Sequence, residues 1–388
     1  VIKINWPKYL KMALNAKKIA TNEINLILFF KSYFSFLLFI LYFKITTYTR
    51  FKYYNIIIYK LFGLEVAIMS KVVLIGGGTG ISSLIKGLKN IEDIDISAII
   101  AVSDSGGSSG KLRKTLNIPA VGDIRQVITA FSENENITNK ILKYRFDESI
   151  NELNNHSLGN LIISALVDIE QDFYKGIQSV KKFIDLKGEV IPSTNYNDVT
   201  LCAEYTDGSI QLGEDLIPNK NKKIKKIYLK DSENIKVNEI AVDRISNADY
   251  IILGVGSLYT SLIANLIIPG IKEAIISNKN AKLVYFCNIV TQQGETDNMT
   301  AYDHITEIEK YLDKNIIDIV VIDNSKIKKE ILEKYSNAKQ SKIILDDKLL
   351  DSHVDIIKAS LVDNNSDKIL HSAKKIYKVF KKILNNNY

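Results

Sequence analysis

The sequence predicts an α/β protein with a Rossmann-like, mainly parallel sheet, helices on both faces and a small antiparallel β-hairpin insertion. After residue 69, short β-branched apolar runs alternate with helical runs, which is typical of βαβ units. Polar, glycine-bearing segments follow four of those runs, as loops at the carboxyl edge of a parallel sheet do. One tight turn, Asp207-Gly208, breaks the alternation and indicates the hairpin.

The predicted strands are short runs rich in Val and Ile and bounded by turn residues. They cover residues 72–75, 94–102, 199–205, 209–212, 224–229, 250–255, 282–288 and 316–323, with 341–345 and 356–362 as shorter candidates. Helical patterns cover residues 157–169 and 173–186, and an amphipathic pattern covers 367–384. The outer face of this last helix is rich in lysine, which favours a solvated surface over a partner surface.

The first predicted strand ends in a glycine segment with the properties of a phosphate cradle. The segment consists of Gly76, Gly77, Gly78, Thr79 and Gly80. Glycines let the backbone approach an anion, and the start of the following helix offers free N–H groups and a positive dipole end. The dinucleotide fingerprint would need glycine at position 81, which is Ile81, and no Walker lysine follows. A tight strand-to-helix turn is the alternative interpretation.

Four loops carry most of the candidate ligand-binding residues. They are segments 76–80, 103–110, 254–261 and 288–297, and each follows a predicted strand. Because parallel strands end at one edge of the sheet, we expect the loops to gather at its switch point. Their backbone N–H groups and hydroxyls suit an anionic, hydroxyl-bearing ligand. The candidates beyond the first loop are Asp104, Ser105, Gly106, Gly254, Gly256, Ser257, Tyr259, Asn288, Gly294, Glu295 and Thr296.

Asp104 has three open interpretations. A carboxylate after the second strand often meets a ribose hydroxyl. It is also suited to help hold Mg²⁺, which makes Asp104 the metal-site candidate. The third interpretation is that it caps the following turn.

Six polar residues outside those loops complete the candidate set. They are Lys111, Arg113, Asp123, Arg125, His156 and Asn160. Lys111 and Arg113 either reach phosphate or lie in solvent. Asp123 is expected as a helix N-cap, and Arg125 as a phosphate clamp or the partner of a carboxylate. His156 is a candidate general base, although a lone histidine is more often structural. Asn160 is suited to a sugar or base edge.

Composition and charge exclude several classes of function. Residues 1–68 carry ten Lys or Arg and two Glu, while the remaining 41 basic and 42 acidic residues nearly cancel. The body therefore lacks the basic footprint of a nucleic-acid-binding protein. Two distant cysteines, Cys202 and Cys287, fit a reducing compartment and no disulfide framework. The sequence holds neither a zinc-type histidine pair nor a Gly-x-Ser-x-Gly elbow, so zinc and hydrolase-triad sites lack support.

The first 68 residues differ in composition from the rest. They are rich in Ile, Leu, Phe, Tyr, Lys and Asn, and residues 25–42 are almost wholly apolar. A membrane anchor, a targeting segment and translated upstream DNA are the three interpretations. We favour the third, because AT-rich codons specify these residues and Leu64-Glu65-Val66 can be encoded with a ribosome-binding sequence before Met69. A non-native extension over 1–68 and one domain over 69–388, with no membrane attachment, are therefore expected.

The ordered set of motifs resembles the YvcK/CofD-like family, specifically its bacterial gluconeogenesis factor branch. The matching segments are IGGGTG at 75–80, SDSGGSSGKLR at 103–113, GDIR at 122–125, HSLGNL at 156–161, GSLYTS at 256–261 and CNIVTQQGET at 287–296, followed by Asp303-His304. Each motif alone is modest, but their order is highly specific. The family start, just before the glycine strand, also supports Met69 as the first residue.

The resemblance implies a cytoplasmic regulator linked to cell shape and cell-wall synthesis during growth on gluconeogenic carbon sources. The implied ligand is a nucleotide sugar of the UDP-N-acetylglucosamine type, with no required cofactor and Mg²⁺ as an optional one. The implied partner belongs to envelope-precursor synthesis, and an apolar sheet edge is compatible with a homodimer. The alternative is a transferase like the distant relatives that move a phospholactyl group onto a deazaflavin precursor. Asp104 stands where those relatives use an acidic residue.

Three positions depart from the family pattern. Val255 stands where proline is usual, and Asn298-Met299 replaces a common Gly-Tyr pair that includes an aromatic residue. Leu370 precedes His371 where the family often has arginine, which removes one phosphate contact. Tyr335 does match a family tyrosine and is therefore a candidate ligand contact.

Overall fold

The computed structural model of the 388-residue chain describes residues 69–386, apart from 133–136, 148, 150–152 and 364–365. The expected extension over residues 1–68 lies outside the described residues. Within the described part, no single helix has the length and apolar character needed to cross a membrane. One pair of helical segments, Leu258–Leu266 and Ile271–Ser277, bent by 72°, meets those two criteria together.

A seven-stranded parallel sheet forms the centre of the fold and confirms the predicted α/β class. Its strands are β1 (Ser70–Gly76), β2 (Ile94–Ile100), β3 (Glu189–Pro192), β7 (Tyr250–Leu253), β8 (Lys282–Phe286), β9 (Ile319–Asp323) and β10 (Asp355–Ala359). They are arranged in the order β10-β9-β8-β7-β1-β2-β3. The chain therefore builds outward from β1 to one side, then returns to the other side at β7. This reversal is the switch point of a doubly wound sheet.

The small sheet is larger than the expected hairpin. It contains β4 (Leu201–Tyr205), β5 (Ile210–Leu212) and β6 (Ile224–Leu229) in the antiparallel order β5-β4-β6. The turn at Asp207-Gly208 joins β4 to β5 as predicted, and the predicted strand 224–229 pairs with the other side of β4. A third strand is favoured because an isolated two-stranded hairpin is only marginally stable in water.

Helices occupy the connections between the strands. The α-helices are α1 (Gly78–Leu88), α2 (Gly107–Leu116), α3 (Gly122–Phe131), α4 (Ile137–Lys143), α5 (Leu158–Glu170), α6 (Phe173–Ser179), α7 (Glu239–Ser246), α8 (Ala264–Leu266), α9 (Ile271–Ser277), α10 (Ala301–Tyr311), α11 (Lys329–Asn337), α12 (Asp347–Leu350) and α13 (Ala373–Leu384). A π-helix over Leu258–Ile263 precedes α8. Right-handed crossovers on the two sides of a switch point place such helices on opposite faces of the sheet.

The central strands of the parallel sheet have continuous apolar sequences because they are buried on both faces. Val72, Leu74 and Ile75 of β1 have no exposed surface, and β1 pairs with β2 on one side and β7 on the other. A parallel sheet covered on both faces needs apolar residues at successive positions rather than alternating ones. Strand β1 therefore has a continuous apolar sequence because it lies at the centre of the sheet, with both faces covered.

Several element boundaries differ from the sequence prediction. Strand β3 was not predicted, because only four residues between Gly188 and Pro192 form it. The predicted strand over 341–345 is wrong: only an isolated bridge joins Lys342 to Val290 there. Helix α13 begins at Ala373 and not at residue 367, and α2 begins at Gly107 inside a predicted loop. Asp123 is not the N-cap of α3, since Val121 holds that position and Asp123 lies in the first turn.

Candidate functional site

A cavity of about 470 Å³ lies at the carboxyl ends of the central strands. It gathers residues from all four predicted loops, as the sheet topology requires. The predicted site residues that line it are Gly77, Gly78, Thr79, Gly80, Asp104, Asp123, Gly256, Ser257 and Asn288. Because β1 and β7 are neighbours, segments that are far apart in sequence meet directly at the switch point.

Helix α1 directs its N-terminus at this cavity. Its N-cap is Gly77, which has no side chain to cap the helix, and its first turn holds no acidic residue. A Cβ atom on Gly80 would lie 2.2 Å from the carbonyl oxygen of Val255, so only glycine lets α1 pack this closely on the loop after β7. One of the first N–H groups, that of Gly78, is bonded to Asp123. The positive end of the helix dipole therefore faces the cavity, and the Asp123 carboxylate already occupies one of its N–H groups.

Backbone N–H groups of the loop after β7 donate hydrogen bonds to side chains of the protein itself. The buried Glu295 carboxylate accepts hydrogen bonds from the Tyr259 N–H at 3.2 Å and the Thr260 N–H at 3.4 Å. Gly256 N–H donates to Asn288 Oδ1 at 3.1 Å, and Asn288 Nδ2 donates back to the Gly256 carbonyl at 2.7 Å. Burial raises the pKa of Glu295, against the opposing effect of these hydrogen bonds. The π-helix N-terminus thus has two N–H groups bonded to a built-in carboxylate, whereas the α1 loop has one such group, the Gly78 N–H, bonded to Asp123.

Three carboxyl groups line the same cavity as the glycine loop. Asp104 follows β2, Asp123 lies on α3, and Glu214 comes from the small antiparallel insertion. Burial, and then the charge of Asp104, raises the pKa of Asp123 to about 7. Burial, and then the charges of Asp104 and Asp123, raises the pKa of Glu214 to about 8. The cavity therefore combines an anion-binding helix end with a group of acids that repel each other.

This combination fits Mg²⁺ only together with a phosphate ligand. Magnesium in nucleotide sites is commonly held by one or two carboxylates, with phosphate oxygens and water completing the octahedron. Among the described residues, no set of three His, Cys, Asp or Glu side chains is arranged to hold a metal ion by itself. Asp104 and Asp123 are the two carboxylates whose position beside the glycine loop suits a phosphate-bridged cation.

The two predicted phosphate-binding arginines hold the protein's own backbone. Arg113 donates from Nη2 to the Val199 carbonyl at 2.7 Å and from Nε to the Asn197 carbonyl at 3.1 Å. Arg125 donates from Nε to Asn160 Oδ1 at 2.9 Å. Neither arginine lines the cavity, and the exposed Lys111 does not line it either. Within the described residues the cavity lining contains no lysine or arginine, so backbone N–H groups are its main anion donors.

His156 and Asn160 belong to a hydrogen-bond network outside the cavity lining. His156 Nδ1 lies 3.0 Å from the Ser108 hydroxyl, and Asn160 Nδ2 donates to the same hydroxyl oxygen at 3.1 Å. This network ties the start of α5 to the start of α2. Partial burial, and then the positive charges of Lys111 and Arg145, lowers the pKa of His156. The geometry matches the structural interpretation of a lone histidine.

The remaining predicted residues also lie outside the lining and support the surrounding loops. They are Gly76, Ser105, Gly106, Gly254, Tyr259, Gly294, Glu295, Thr296 and Tyr335. The Ser105 hydroxyl donates to Asp215 Oδ1, and the Thr296 hydroxyl oxygen accepts from the Gln292 N–H at 2.8 Å. The Tyr335 hydroxyl oxygen accepts from the Ile369 N–H at 3.0 Å, so Tyr335 positions a segment that does line the cavity.

Sequence reasoning missed several residues of the lining. Residues that were not singled out at all include Ser83, Gln126, Glu214, Gln340 and Ile369. The predicted loops contain Ser103, Thr260, Ser261, Thr291 and Gln292, but these were not among the candidate residues. The family resemblance alone pointed to Leu370 and His371. Gln126 had a usable signal, because it lies three positions after Asp123 on one face of α3. For segment 369–371 the family resemblance was the only indication, because no sequence motif near these residues suggests that they meet the glycine loop. Leu370, with 43% of its surface exposed, presents an apolar side chain where the family often has arginine.

The fold and the cavity define a Rossmann-like α/β protein with a ligand site at the switch point of its parallel sheet. A family model described as 2-phospho-L-lactate transferase CofD matches residues 72–362. The gluconeogenesis factor of Halalkalibacterium halodurans is 40% identical over 306 residues, covering 79% of this chain and 94% of that protein. The gluconeogenesis factor of Bacillus subtilis is 39% identical over 307 residues, with coverages of 79% and 95%.

Solved structures agree with the sequence comparisons. A crystal structure of a Bacillus halodurans protein superposes with a TM-score of 0.77 at 39% identity, covering 81% of this chain and 99% of that one. The chain therefore belongs to the CofD family, within the branch that contains the gluconeogenesis factors.

Proposed function

We propose that this protein is a cytoplasmic regulator that binds a nucleotide sugar of the UDP-N-acetylglucosamine type in the switch-point cavity. The observation that carries the proposal is the glycine-rich N-terminus of α1, whose N-cap Gly77 has no capping side chain and which faces a cavity of about 470 Å³. This volume lies within the range that small-molecule sites usually have, roughly 300–1,000 Å³. A helix N-terminus after a glycine loop is a favourable place for a diphosphate.

The polar lining supports a ligand that carries hydroxyl groups as well as phosphates. Ser257, Gln292 and Asn288 lie on the side of the cavity formed by the loops after β7 and β8. Asp104 and Glu214 add carboxylates, which accept hydrogen bonds from hydroxyl groups. A nucleotide sugar offers both chemical features in one molecule, phosphates for the helix end and hydroxyls for the carboxylates.

The regulatory role follows from the family and not from the site alone. The relatives named gluconeogenesis factor support a role that is shared within the family. We propose that ligand occupancy biases a partner protein of envelope-precursor synthesis and thereby affects cell shape and peptidoglycan supply on gluconeogenic carbon sources. Mg²⁺ between Asp104, Asp123 and the diphosphate would strengthen binding without being required for the fold.

A transferase is the second candidate, and one observation favours it. The family model that matches the chain is described by a transferase activity, and the charge of Asp104 contributes to the raised pKa of Asp123 beside the glycine loop. Two carboxylates with Mg²⁺ would then orient a phosphate-linked group for transfer. If the protein is a transferase, an Asp104→Asn variant is expected to keep the fold and lose the transferase activity.

Calorimetry separates the two functions. The full chain is titrated with UDP-N-acetylglucosamine with and without Mg²⁺, and the recovered ligand is examined by mass spectrometry. Saturable binding with unchanged ligand supports the regulator. A ligand that is consumed when an acceptor is present supports the transferase. Absence of binding at millimolar ligand would reject the nucleotide-sugar proposal and direct attention to Val255, Met299 and Leu370.

A further inference from the structure

A short segment of the insertion reaches the edge of the cavity and is held by contacts on two sides. This segment, residues 213–221, contains the 3₁₀ turns Glu214–Leu216 and Pro218–Lys220. On one side, the Ser105 hydroxyl donates to Asp215 Oδ1, and Asp215 N–H donates to the Ser105 oxygen at 3.3 Å. These bonds join the segment to the loop after β2.

The other side of segment 213–221 packs on the loop after β8. A Cβ atom on Gly294 would lie 2.0 Å from the Pro218 carbonyl oxygen, so the two backbones are in direct contact. Gln293 Nε2 also donates to Asn221 Oδ1 at 3.1 Å. Segment 213–221 therefore joins two of the four site loops, and its contacts with both loops fix its position beside the cavity.

Glu214 is the residue of this segment that lines the cavity. Its side chain is half-buried, and Asp104, Asp123 and Glu295 are near enough to raise its pKa further than burial alone. Placing a carboxyl group among three others is unfavourable in the free protein. Such an arrangement is expected where a ligand supplies the missing favourable interaction.

The protein offers Glu214 little compensation of its own. The Thr260 hydroxyl lies within hydrogen-bonding reach of Glu214, yet it donates to Glu295 Oε1 at 3.1 Å. A hydroxyl has one proton, so it serves one of these carboxylates at a time. The Glu214 oxygens are thus left with unused acceptor capacity that faces the cavity.

Two other partners for Glu214 are less favourable than a hydroxyl group. A phosphate would be repelled, because Glu214 and its acidic neighbours all carry negative charge when ionised. A metal ion held by Glu214 with its neighbours lacks support, since the described residues contain no arrangement of three suitable ligands. Hydroxyl groups are the donors that a nucleotide sugar presents next to its diphosphate.

We propose that Glu214 is a specificity-determining residue that accepts hydrogen bonds from sugar hydroxyl groups of the ligand. This inference rests on the proposed nucleotide-sugar function and adds the residue that reads the sugar part. It also assigns a purpose to the antiparallel insertion, which delivers an acceptor to a cavity otherwise built by the parallel sheet. The glycine loop would hold the phosphates, and Glu214 would select for the polyol attached to them.

Binding to variants of the full chain tests the proposal. UDP-N-acetylglucosamine is titrated into the wild-type protein, Glu214→Ala and Glu214→Gln, each with and without Mg²⁺. Loss of the acceptor in Glu214→Ala should weaken binding about fivefold or more in both buffers, a loss typical of one hydrogen bond between neutral groups. Glu214→Gln keeps one acceptor oxygen and should remain within about twofold of wild type. Glu233→Ala, an exposed glutamate on another 3₁₀ turn of the insertion, is the matched control.

Each other outcome has a definite meaning. Wild-type affinity in Glu214→Ala, with a normal thermal midpoint, would overturn the inference while leaving the nucleotide-sugar proposal intact. A loss seen only in Mg²⁺-containing buffer would overturn it in favour of a cation ligand. Failure of the wild-type protein to bind UDP-N-acetylglucosamine would reject both proposals together.

Discussion

At the scale of single residues, the position of a carboxyl group in the cavity changes its pKa. Asp104, Asp123 and Glu214 are ordinary acids in the sequence, but the fold brings them together and burial raises the pKa values of the last two. Asp104 was identifiable from the loop that follows a predicted strand, and Asp123 from the GDIR motif at residues 122–125. Glu214 was not, because it lies in an insertion whose path beside the cavity depends on contacts with Ser105 and Gly294.

Removal of the Asp123 charge is expected to stabilise the unliganded protein at alkaline pH. Its pKa rises from 3.8 to about 7 on folding, so the folded state binds the proton more tightly than the unfolded chain. The wild type therefore loses stability as pH rises from about 4 through 7, while Asp123→Asn does not. Urea unfolding at pH 5 and pH 8 should show a stability advantage of the variant that grows with pH. An equal difference at both pH values, or one matched by the exposed control Asp185→Asn, would contradict this expectation.

Magnesium should strengthen nucleotide-sugar binding more at pH 8 than at pH 6. A protonated Asp123 cannot ligate the ion, and its pKa of about 7 lies between these two values. Both phosphates of a nucleotide sugar are diesters and do not titrate in this range. The measurement is calorimetric affinity at the two pH values with and without Mg²⁺, for the wild type and Asp123→Asn. A magnesium effect that is independent of pH would remove Asp123 from the proposed cation site.

At the scale of elements, two contacts of α1 decide whether the site forms. Its N-terminal end packs on the loop after β7 through Gly80, and its opposite end packs on α13 through Gly87. The four buried residues of α13 are Ile376, Val379, Phe380 and Ile383, which recur at helical spacing. Periodicity made α13 predictable, whereas its partner could be known only from the folded chain.

Gly80→Ala is expected to displace the glycine loop and impair ligand binding. The added methyl group would lie 2.2 Å from the Val255 carbonyl oxygen, which is backbone and cannot rotate away. Overpacking of this kind costs about 1–3 kcal/mol. Calorimetry should show at least tenfold weaker binding of UDP-N-acetylglucosamine, with a lower thermal midpoint. Lys86→Ala, on the exposed face of α1 and outside the cavity lining, is the control, and an equal loss in that variant would contradict the explanation.

Phe380→Ala should destabilise the whole domain. Phe380 is fully buried and packs edge-on against Tyr250 of β7, with ring centroids 5.7 Å apart. Truncation of a buried phenylalanine costs about 3–5 kcal/mol, because it leaves a cavity in addition to losing burial. Denaturant unfolding measures the change, and Lys378→Ala on the exposed face of α13 is the control. A loss below 1 kcal/mol would mean that α13 is not an integral part of the core.

At the scale of the whole molecule, the order of the strands creates the site. The reversal between β1 and β7 opens a crevice whose two sides come from opposite halves of the chain. The insertion adds Glu214 to its lining, and a segment after β10 adds residues 369–371. The ligand site therefore combines segments that are far apart in the chain, so ligand binding should be linked to global stability.

Nucleotide-sugar binding should raise the stability of the folded domain as a unit. A ligand that binds only the folded state at a concentration 100 times its Kd adds about 2.7 kcal/mol to the free energy of unfolding. Thermal unfolding of the full chain with increasing UDP-N-acetylglucosamine should show a concentration-dependent rise in midpoint. UDP-N-acetylglucosamine with Gly80→Ala should give a much smaller rise. A wild-type midpoint that stays constant at saturating ligand would contradict binding to the native fold.

The sequence alone determined the fold class, most of the strands of the parallel sheet, the glycine cradle and the family. These features rest on local physics: apolar runs for buried strands, glycines where backbones must approach, and motifs kept in a fixed order. Only the tertiary structure decided which polar residues face the cavity. Arg113, Arg125 and His156 carried suitable chemistry but bind neighbouring loops, while Glu214 and His371 arrive from distant segments. The reason is that a side chain's partner depends on which elements become neighbours, and local sequence does not contain that information.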